Sequence, residues 1–318
     1  LEYKEMTKDD LTKKIAALRT NLERVIRGKA DKIDLAMTAL ISGGHLLIED
    51  IPGVGKTTLA HGLARSINCS FQRIQFTSDL LPSDVIGVTI YNQATHSFEF
   101  KQGPIFANIV LADEINRATP KTQSALLEAM NDRQVSVERS TYRLPEPNMI
   151  IATQNPLDHA GTFPLPESQL DRFSMRIRMG YPDEATETAI IRSKANALDP
   201  ERLLPVLTGE DVSALKAAAE HVAVDDDVLA YAMAVIARTR AHKDIRLGVS
   251  PRGAMVLYRT ARAYALVAGR AYVTPDDIKT LAYPVLGHRV LIAKYADEDT
   301  ADADLLLEEI LDSTPVPV

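Results

Sequence analysis

A lysine followed by two threonines closes the turn in HLLIEDIPGVGKTTLAHGLARS, residues 45–66. An apolar run enters this glycine-containing turn, and the turn opens onto a helix with Leu59, Leu63 and Ile67 on one face. Backbone N–H groups in such a turn converge with those of the first helical turn. Together they form an anion nest that the helix dipole reinforces. Gly53 and Gly55 let the backbone approach phosphates without a Cβ in the way. Lys56 would reach the outer phosphates and the Thr57 hydroxyl would ligate Mg²⁺, with Pro52, Val54 and Thr58 completing the loop. Asp50 stands where the strict GxxxxGK[ST] pattern has its first glycine, a single departure. A strand before and a helix after are the context the motif requires, so the pattern implies a nucleoside triphosphate site.

A second group fits the same chemistry. NIVLADEINR, residues 108–117, puts Asp113 and Glu114 at the end of an apolar run. Ligands of open α/β sheets bind at that end of a strand. Asp113 would hold Mg²⁺ directly or through water, and Glu114 would orient and deprotonate an attacking water. An adjacent acid pair suits hydrolysis better than transfer to a second substrate. Asn155, in IIATQNP, could hold that water or sense the terminal phosphate, although Asn-Pro is also a common turn. Phosphoryl transfer gains from an added positive charge, often an arginine from a neighbouring subunit. Arg172 in QLDRF and Arg252 in VSPRG are the candidates. Arg252 opens a helix, where a cation opposes the dipole and so hints at a purpose beyond that helix.

These residues need a frame. Five short apolar runs, at 45–50, 71–76, 108–114, 148–155 and 173–179, alternate with helical stretches. That rhythm predicts a parallel sheet covered on both faces. Residues 7–26 read as an amphipathic helix carrying Leu11, Ile15, Leu18, Leu22 and Val25, opened by a Thr7–Asp10 capping box. Residues 83–103 and 133–144 read as hairpins, and Thr119-Pro120 opens a helix between them. After Pro182 the strand signals stop. Helices are expected at 183–197, 208–221, 225–242, 251–268, 275–290 and 302–312, punctuated by prolines. An α/β domain over 1–181 and an all-helical domain over 182–318 follow from that change of pattern.

Bulk composition narrows the function class. The 318 residues carry 36 Lys and Arg against 43 Asp and Glu, a net charge of −7. With no Lys/Arg stripe interleaved with aromatics, no strand-tracking groove is expected, which disfavours a helicase or clamp-loader role. One cysteine, Cys69, leaves no internal disulfide or cysteine metal cluster and suits a reducing compartment, so the cytoplasm is expected. No apolar run approaches the ~20 residues of a membrane span. A start at Leu1 rather than Met is what a trimmed N-terminus would give. The seven histidines show no metal-ligand spacing, and the methionines read as core filler.

Taken together, these stretches resemble the MoxR group of AAA+ ATPases. The resemblance rests on IEDIPGVGKT, LADEINRATPKTQSALLEAMNDRQVSVE, LPEPNMIIATQNP and GTFPLPESQLDRF. It continues in SPRGAMVLYRTARAYALVAGRAYVTPDDIKTLAYPVLGHR, so that roughly residues 20–295 are covered. Asp50 looks normal for that group. The resemblance implies Walker A at Gly53 to Thr58, Walker B at Asp113 and Glu114, and sensor 1 at Asn155. It implies an arginine finger at Arg172, sensor 2 at Arg252, and Ile26 and Gly28 against the adenine. The inserts at 83–103 and 133–144 would point into the central pore of a ring, with six subunits by family analogy, and touch a client. ATP or ADP and Mg²⁺ are the implied ligands. The partners would be protein complexes matured or activated with the help of proteins bearing a von Willebrand factor A domain. Two other readings compete: the motor subunit of a metal-inserting chelatase, and a nucleotide-gated module without turnover. The long central block fits the MoxR group better than the first. A pure switch has no need of Glu114, which disfavours the second.

Overall fold

The computed structural model describes residues 7–138, 140–156, 161–192, 199–293 and 303–317. Residue 139 of the second expected hairpin, His159, residues 193–197 of one expected helix and residue 302 of another lie outside them. The chain opens with α1 (Lys8–Glu23), whose Thr7 cap accepts a hydrogen bond from the Asp10 N–H. Next come α2 (Ala30–Ile41), β1 (Leu46–Glu49), α3 (Lys56–Ser66) and β2 (Phe71–Gln75). A short α4 (Pro82–Ile86) leads into the hairpin β3 (Gly87–Asn92) and β4 (Ser97–Gln102). Then follow β5 (Ile109–Asp113), α5 (Pro120–Asp132), the second hairpin β6 (Gln134–Val137) and β7 (Ser140–Arg143), and β8 (Met149–Gln154). Short α6 (Glu167–Leu170) and β9 (Met175–Ile177) complete the sheet.

All five expected runs form one sheet in the order β2-β5-β8-β1-β9, every neighbouring pair parallel. Strand alternation explains why the runs are apolar throughout. Ile109 and Leu111 of β5 face one core while Val110 and Ala112 face the other; Leu46 and Ile48 of β1 oppose Leu47 in the same way. The first core packs α1, α2 and α3 and continues into the later helices; the second packs α5 and the base of the hairpins. The two hairpins touch through Phe100 stacked on Tyr142, ring centroids 4.3 Å apart.

The helical part comprises α7 (Glu184–Arg192), α8 (Gly209–Glu220), α9 (Asp226–Ala241), α10 (Pro251–Val267), α11 (Pro275–Leu286) and α12 (Ala303–Ser313). The expectation that strands end at 182 needs one correction. β10 (Ile245–Leu247) and β11 (Leu291–Ile292) pair antiparallel, tying the loop before α10 to the chain after α11. Strands of two and three residues are too short to show a period of two. α2 has no amphipathic signature for a related reason: eight of its twelve residues, Ile33 and Leu35 to Ile41, are buried, so it carries no polar stripe. The methionines divide. Met37, Met130, Met149, Met175 and Met179 are buried, whereas Met233 and Met255 are exposed on α9 and α10. Cys69 is half-buried, and burial raises its thiol pKa.

His45 joins the sheet to α5. Its Nδ1 accepts from the Ile150 N–H at 3.0 Å, and its Nε2 lies 3.1 Å from the Met130 carbonyl. Burial pulls its pKa down to about 4. The unfolded chain, with an imidazole near the usual ~6.5, therefore takes up this proton first. Stability from His45 is complete above ~6.5 and is lost as pH falls toward about 4, by at most roughly 3 kcal/mol. Urea unfolding at pH 7 and pH 5 checks this. The expected result is a loss at pH 5 that is smaller in His45→Gln, whose baseline stability is lower. An equal loss in both proteins would contradict it.

Candidate active site

The loop after β1 is built from its backbone. Gly53 and Gly55 have φ of +87° and +95°, values that strain any residue with a Cβ. Gly55 forms the N-cap of α3, with no side-chain cap and no acidic residue in the first turn. The leading N–H groups of α3 are thus left uncapped by any side chain, the condition under which a helix start can take up an anion. The Lys56 ammonium bonds the Asp50 carbonyl at 2.7 Å, folding the side chain back across the loop. Burial lowers its pKa, opposed by the carboxylates of Asp113, Asp50 and Glu114.

Asp50 now has a physical explanation. One carboxylate oxygen accepts from the Ile51 N–H at 2.8 Å and the other from the Gly180 N–H at 2.6 Å. It ties the start of the loop to the chain leaving β9, a bond that glycine could not make.

The acid pair sits at the end of β5. Asp113 accepts at one oxygen from the Thr153 hydroxyl at 2.6 Å, and at the other from Arg73 Nη2 at 2.7 Å. Glu114 occupies the left-handed region at φ 58°, an uncommon conformation for a side chain of that size. Its N–H bonds the Thr153 hydroxyl at 2.9 Å, which helps hold that turn. Its carboxylate accepts from Gln75 at 3.1 Å and from Arg117 at 3.2 Å. Gln75 also accepts from Arg73 at 2.8 Å, so β2 links the two acids through Arg73 and Gln75. Asn155 lies nearly buried at the end of β8, and Thr57 is exposed at the start of α3. Thr57 and Asp113 are hard oxygen donors of the kind Mg²⁺ takes when phosphates supply the rest of its shell. The chemistry of these donors fits that ion; to ligate it Asp113 must release Arg73 or Thr153, which hold its two oxygens here.

A cavity of about 230 Å³ opens beside the loop, lined by Ile26, Gly53, Val54, Gly55 and Thr58. Pro182 and Ile190, from α7 and the chain just before it, also line it, a placement with no local signature in the sequence. Gly28 is near but does not line it. Its φ is +68°, and a Cβ there would meet the Thr186 hydroxyl at 2.8 Å, so Gly28 allows α7 to pack close.

Arg172 and Arg252 are elsewhere. They line one cavity of about 200 Å³ together with Ser42 to His45, the residues that precede β1. The phosphate loop follows β1, and Gly44 to Asp50 spans roughly 20 Å of extended chain. Arg172 likewise precedes β9, whereas Asp113 ends its strand and Asn155 and the loop follow theirs. Arg252 donates to the Asn131 side chain at 2.8 Å, and its Nε lies 3.9 Å from Asp171. Arg133 and Arg259 line the same cavity, so its lining carries four arginines and one acid, Asp171; Arg133 also lies 3.8 Å from Glu146. Lys56, Asp113, Glu114, Asn155 and the loop therefore share one end of the sheet, and Arg172 and Arg252 share the other. Arg73, Gln75 and Thr153 were missed because their function is visible only once β2, β5 and β8 are neighbours.

Two family models match the chain: the ATPase family associated with various cellular activities over residues 45–175, and an AAA lid domain over residues 237–310. The chain is 46% identical over 310 residues to the uncharacterized protein YeaC of Bacillus subtilis, covering 98% of this chain and 97% of that one. It is 37% identical to Chaperone MoxR1 of Mycobacterium tuberculosis, covering 93% and 80% of the two chains. It is 31% identical to protein MoxR of Paracoccus denitrificans, covering 93% and 94%. A crystal structure from Cytophaga hutchinsonii, of a protein provisionally described as an ATPase, superposes with a TM-score of 0.90. It is 36% identical, covering 98% of this chain and 97% of that one.

Asp50→Gly would restore the strict loop pattern, yet it removes the acceptor for two half-buried N–H groups. Hydrogen bonds to a charged partner are worth about 1.5–3 kcal/mol each. The expected result is a lower urea midpoint and weaker binding of a fluorescent ATP analogue. Stability and binding equal to wild type would contradict this use of Asp50.

Proposed function

The chain belongs to the MoxR family of AAA+ ATPases, and we propose that it hydrolyses ATP to ADP and phosphate at sites completed between subunits of a closed ring. The observation that carries this reading is the separation of its two charged constellations. The phosphate loop and acids lie at one end of the sheet, and the Arg172 and Arg252 cavity lies at the other. Neither end has the full set for phosphoryl transfer. Head-to-tail subunits would bring one end against the next, and a rotation that closes gives a ring. Six subunits are proposed by family analogy.

In this reading Pro52 to Thr58 and the Lys56 ammonium bind the triphosphate, while Ile26 and the turn at Gly28 border the base. Thr57 and Asp113 would hold Mg²⁺, which supplies neutralising charge on the phosphate oxygens. Glu114 takes a proton from a water whose oxygen bonds the γ-phosphorus as the β–γ bridging bond breaks, and Asn155 orients that water. To do so Glu114 must leave Gln75 and Arg117. Arg172 and Arg252 of the adjoining subunit would offset the charge that develops. Arg252 is thus read, like Arg172, as acting on another subunit's phosphate. We place the division into an α/β core and a helical lid at 181/182, with Pro182 and Ile190 closing the base cavity from the lid side.

The work done with that turnover is proposed to be chaperone-like remodelling of protein complexes in the cytoplasm, with partners bearing a von Willebrand factor A domain. The relative named Chaperone MoxR1 supports the chaperone-like part of this reading. So does the first hairpin, where Val88, Ile90, Tyr91 and Phe98 are exposed, Phe98 at 75%. Among the described residues no helix is long and apolar enough to cross a membrane.

Nucleotide binding and turnover separate the roles. Lys56→Ala is expected to bind a fluorescent ATP analogue about 100-fold more weakly, ~3 kcal/mol. Glu114→Gln is expected to bind it normally and to turn over at least roughly 100-fold more slowly. Wild-type binding in the first variant, or wild-type turnover in the second, would sink these assignments. Steady-state hydrolysis over a wide protein concentration tests the shared site. Specific activity should rise with concentration, and Arg172→Ala should lose it while still binding ATP. A flat profile indifferent to Arg172 would contradict a site shared between subunits.

A further inference from the structure

Arg289 follows α11, and its guanidinium is buried, with the side chain 2% exposed. All three of its nitrogens are engaged. Nε donates to the Asp171 carboxylate at 2.7 Å, and Nη2 donates to the Asp171 carbonyl at 3.1 Å and the Phe173 carbonyl at 2.5 Å. Nη1 donates to the Ser174 carbonyl at 3.3 Å and to that of Val285. Asp171 and Phe173 are the two residues flanking Arg172. One side chain from the helical part therefore grips the backbone on both sides of Arg172.

The same side chain reaches the other candidate arginine. Asp171, whose Oδ1 accepts from Arg289, has its Oδ2 3.9 Å from Arg252 Nε. Gly253, next to Arg252, is where Arg289 crosses the first turn of α10: a Cβ at 253 would lie 2.9 Å from Arg289 Cδ. Energetics sharpen the point. Desolvating a guanidinium costs several kcal/mol, and well-packed apolar groups often serve a core as well as a buried ion pair. Stability alone does not call for an arginine here. A planar fork with donors in fixed directions does fix the geometry of the chain it binds.

We propose that Arg289 is a positioning residue: it sets Arg172 and Arg252 in one register, so that both reach the neighbouring subunit's phosphates together. This inference rests on the shared-site reading above. It adds that the lid controls the geometry of the arginine end and, through it, the turnover of an adjoining nucleotide. Arg289 itself touches no nucleotide.

Subunit mixing tests it. Arg289→Lys keeps the charge but cannot fork to the 171–173 backbone. It should bind the fluorescent ATP analogue within about threefold of wild type, and its kcat should fall roughly 10-fold or more with little change in KM. Asp171→Asn, which leaves the backbone carbonyls in place, is the second variant and should show the same split. Each is then mixed with excess Lys56→Ala subunits, which offer intact arginines but bind nucleotide poorly. Turnover per Arg289→Lys or Asp171→Asn subunit should recover about fivefold or more, because its nucleotide now meets a normal arginine pair. A merely structural defect would impair the variant's own site and would not be repaired by a neighbour. Wild-type kcat in both variants, or no recovery where Arg172→Ala recovers in the same mixture, overturns the role of Arg289. Failure of Arg172→Ala itself to recover overturns the shared site instead.

Discussion

Parallel strands give the sheet a direction, and the direction separates the chemistry. Every strand in β2-β5-β8-β1-β9 delivers its carboxyl end to the same side, so the phosphate loop, Asp113, Glu114 and Asn155 emerge together. Whatever precedes a strand emerges on the other side. Arg172 comes just before β9 and the Ser42–His45 turn just before β1, and α10 brings Arg252 to that same edge. One topological fact thus builds an anion nest with two acids at one end and a cluster of guanidiniums at the other. The proposed function is the consequence of putting those ends in contact.

Near the carboxyl ends the polar groups are cross-linked before any ligand arrives. Thr153 on β8 serves both the Asp113 carboxylate and the Glu114 N–H, and Arg73 and Gln75 on β2 hold the two acids from the other side. Such a network fixes side chains that would otherwise lose several rotamers on binding, which is the physical meaning of preorganisation. It also restrains Glu114, whose carboxylate is shared between Gln75 and Arg117. In the proposed cycle, releasing that carboxylate is a step that must accompany assembly of the site.

Much of this was legible in the sequence, for identifiable reasons. The five strands were readable because each is apolar on both faces and bounded by turn residues; the hairpins were readable because they alternate. The phosphate loop could be placed because its glycines, lysine and threonine have few other uses in that order. Other features depend on contacts between distant segments and left no local trace. β10 and β11 are too short to be periodic. Arg73 and Gln75 look like ordinary polar positions on a strand until β5 lies beside them. The location of Arg172 and Arg252 follows from strand direction, but their meeting in one cavity required the packing of α10 against the turn before β1. Arg289 carries no local motif to single it out, because its partners Asp171 and Phe173 lie more than a hundred residues away in the chain.

The most direct test is the structure of the assembled Glu114→Gln protein with ATP bound, read as one distance. The Arg172 guanidinium should lie within ~3 Å of a γ-phosphate held by the loop of the adjoining subunit. Its own subunit's γ-phosphate should be roughly 20 Å or more away. An Arg172 resting on the phosphate of its own subunit, or far from every phosphate in a closed assembly, would contradict the shared site.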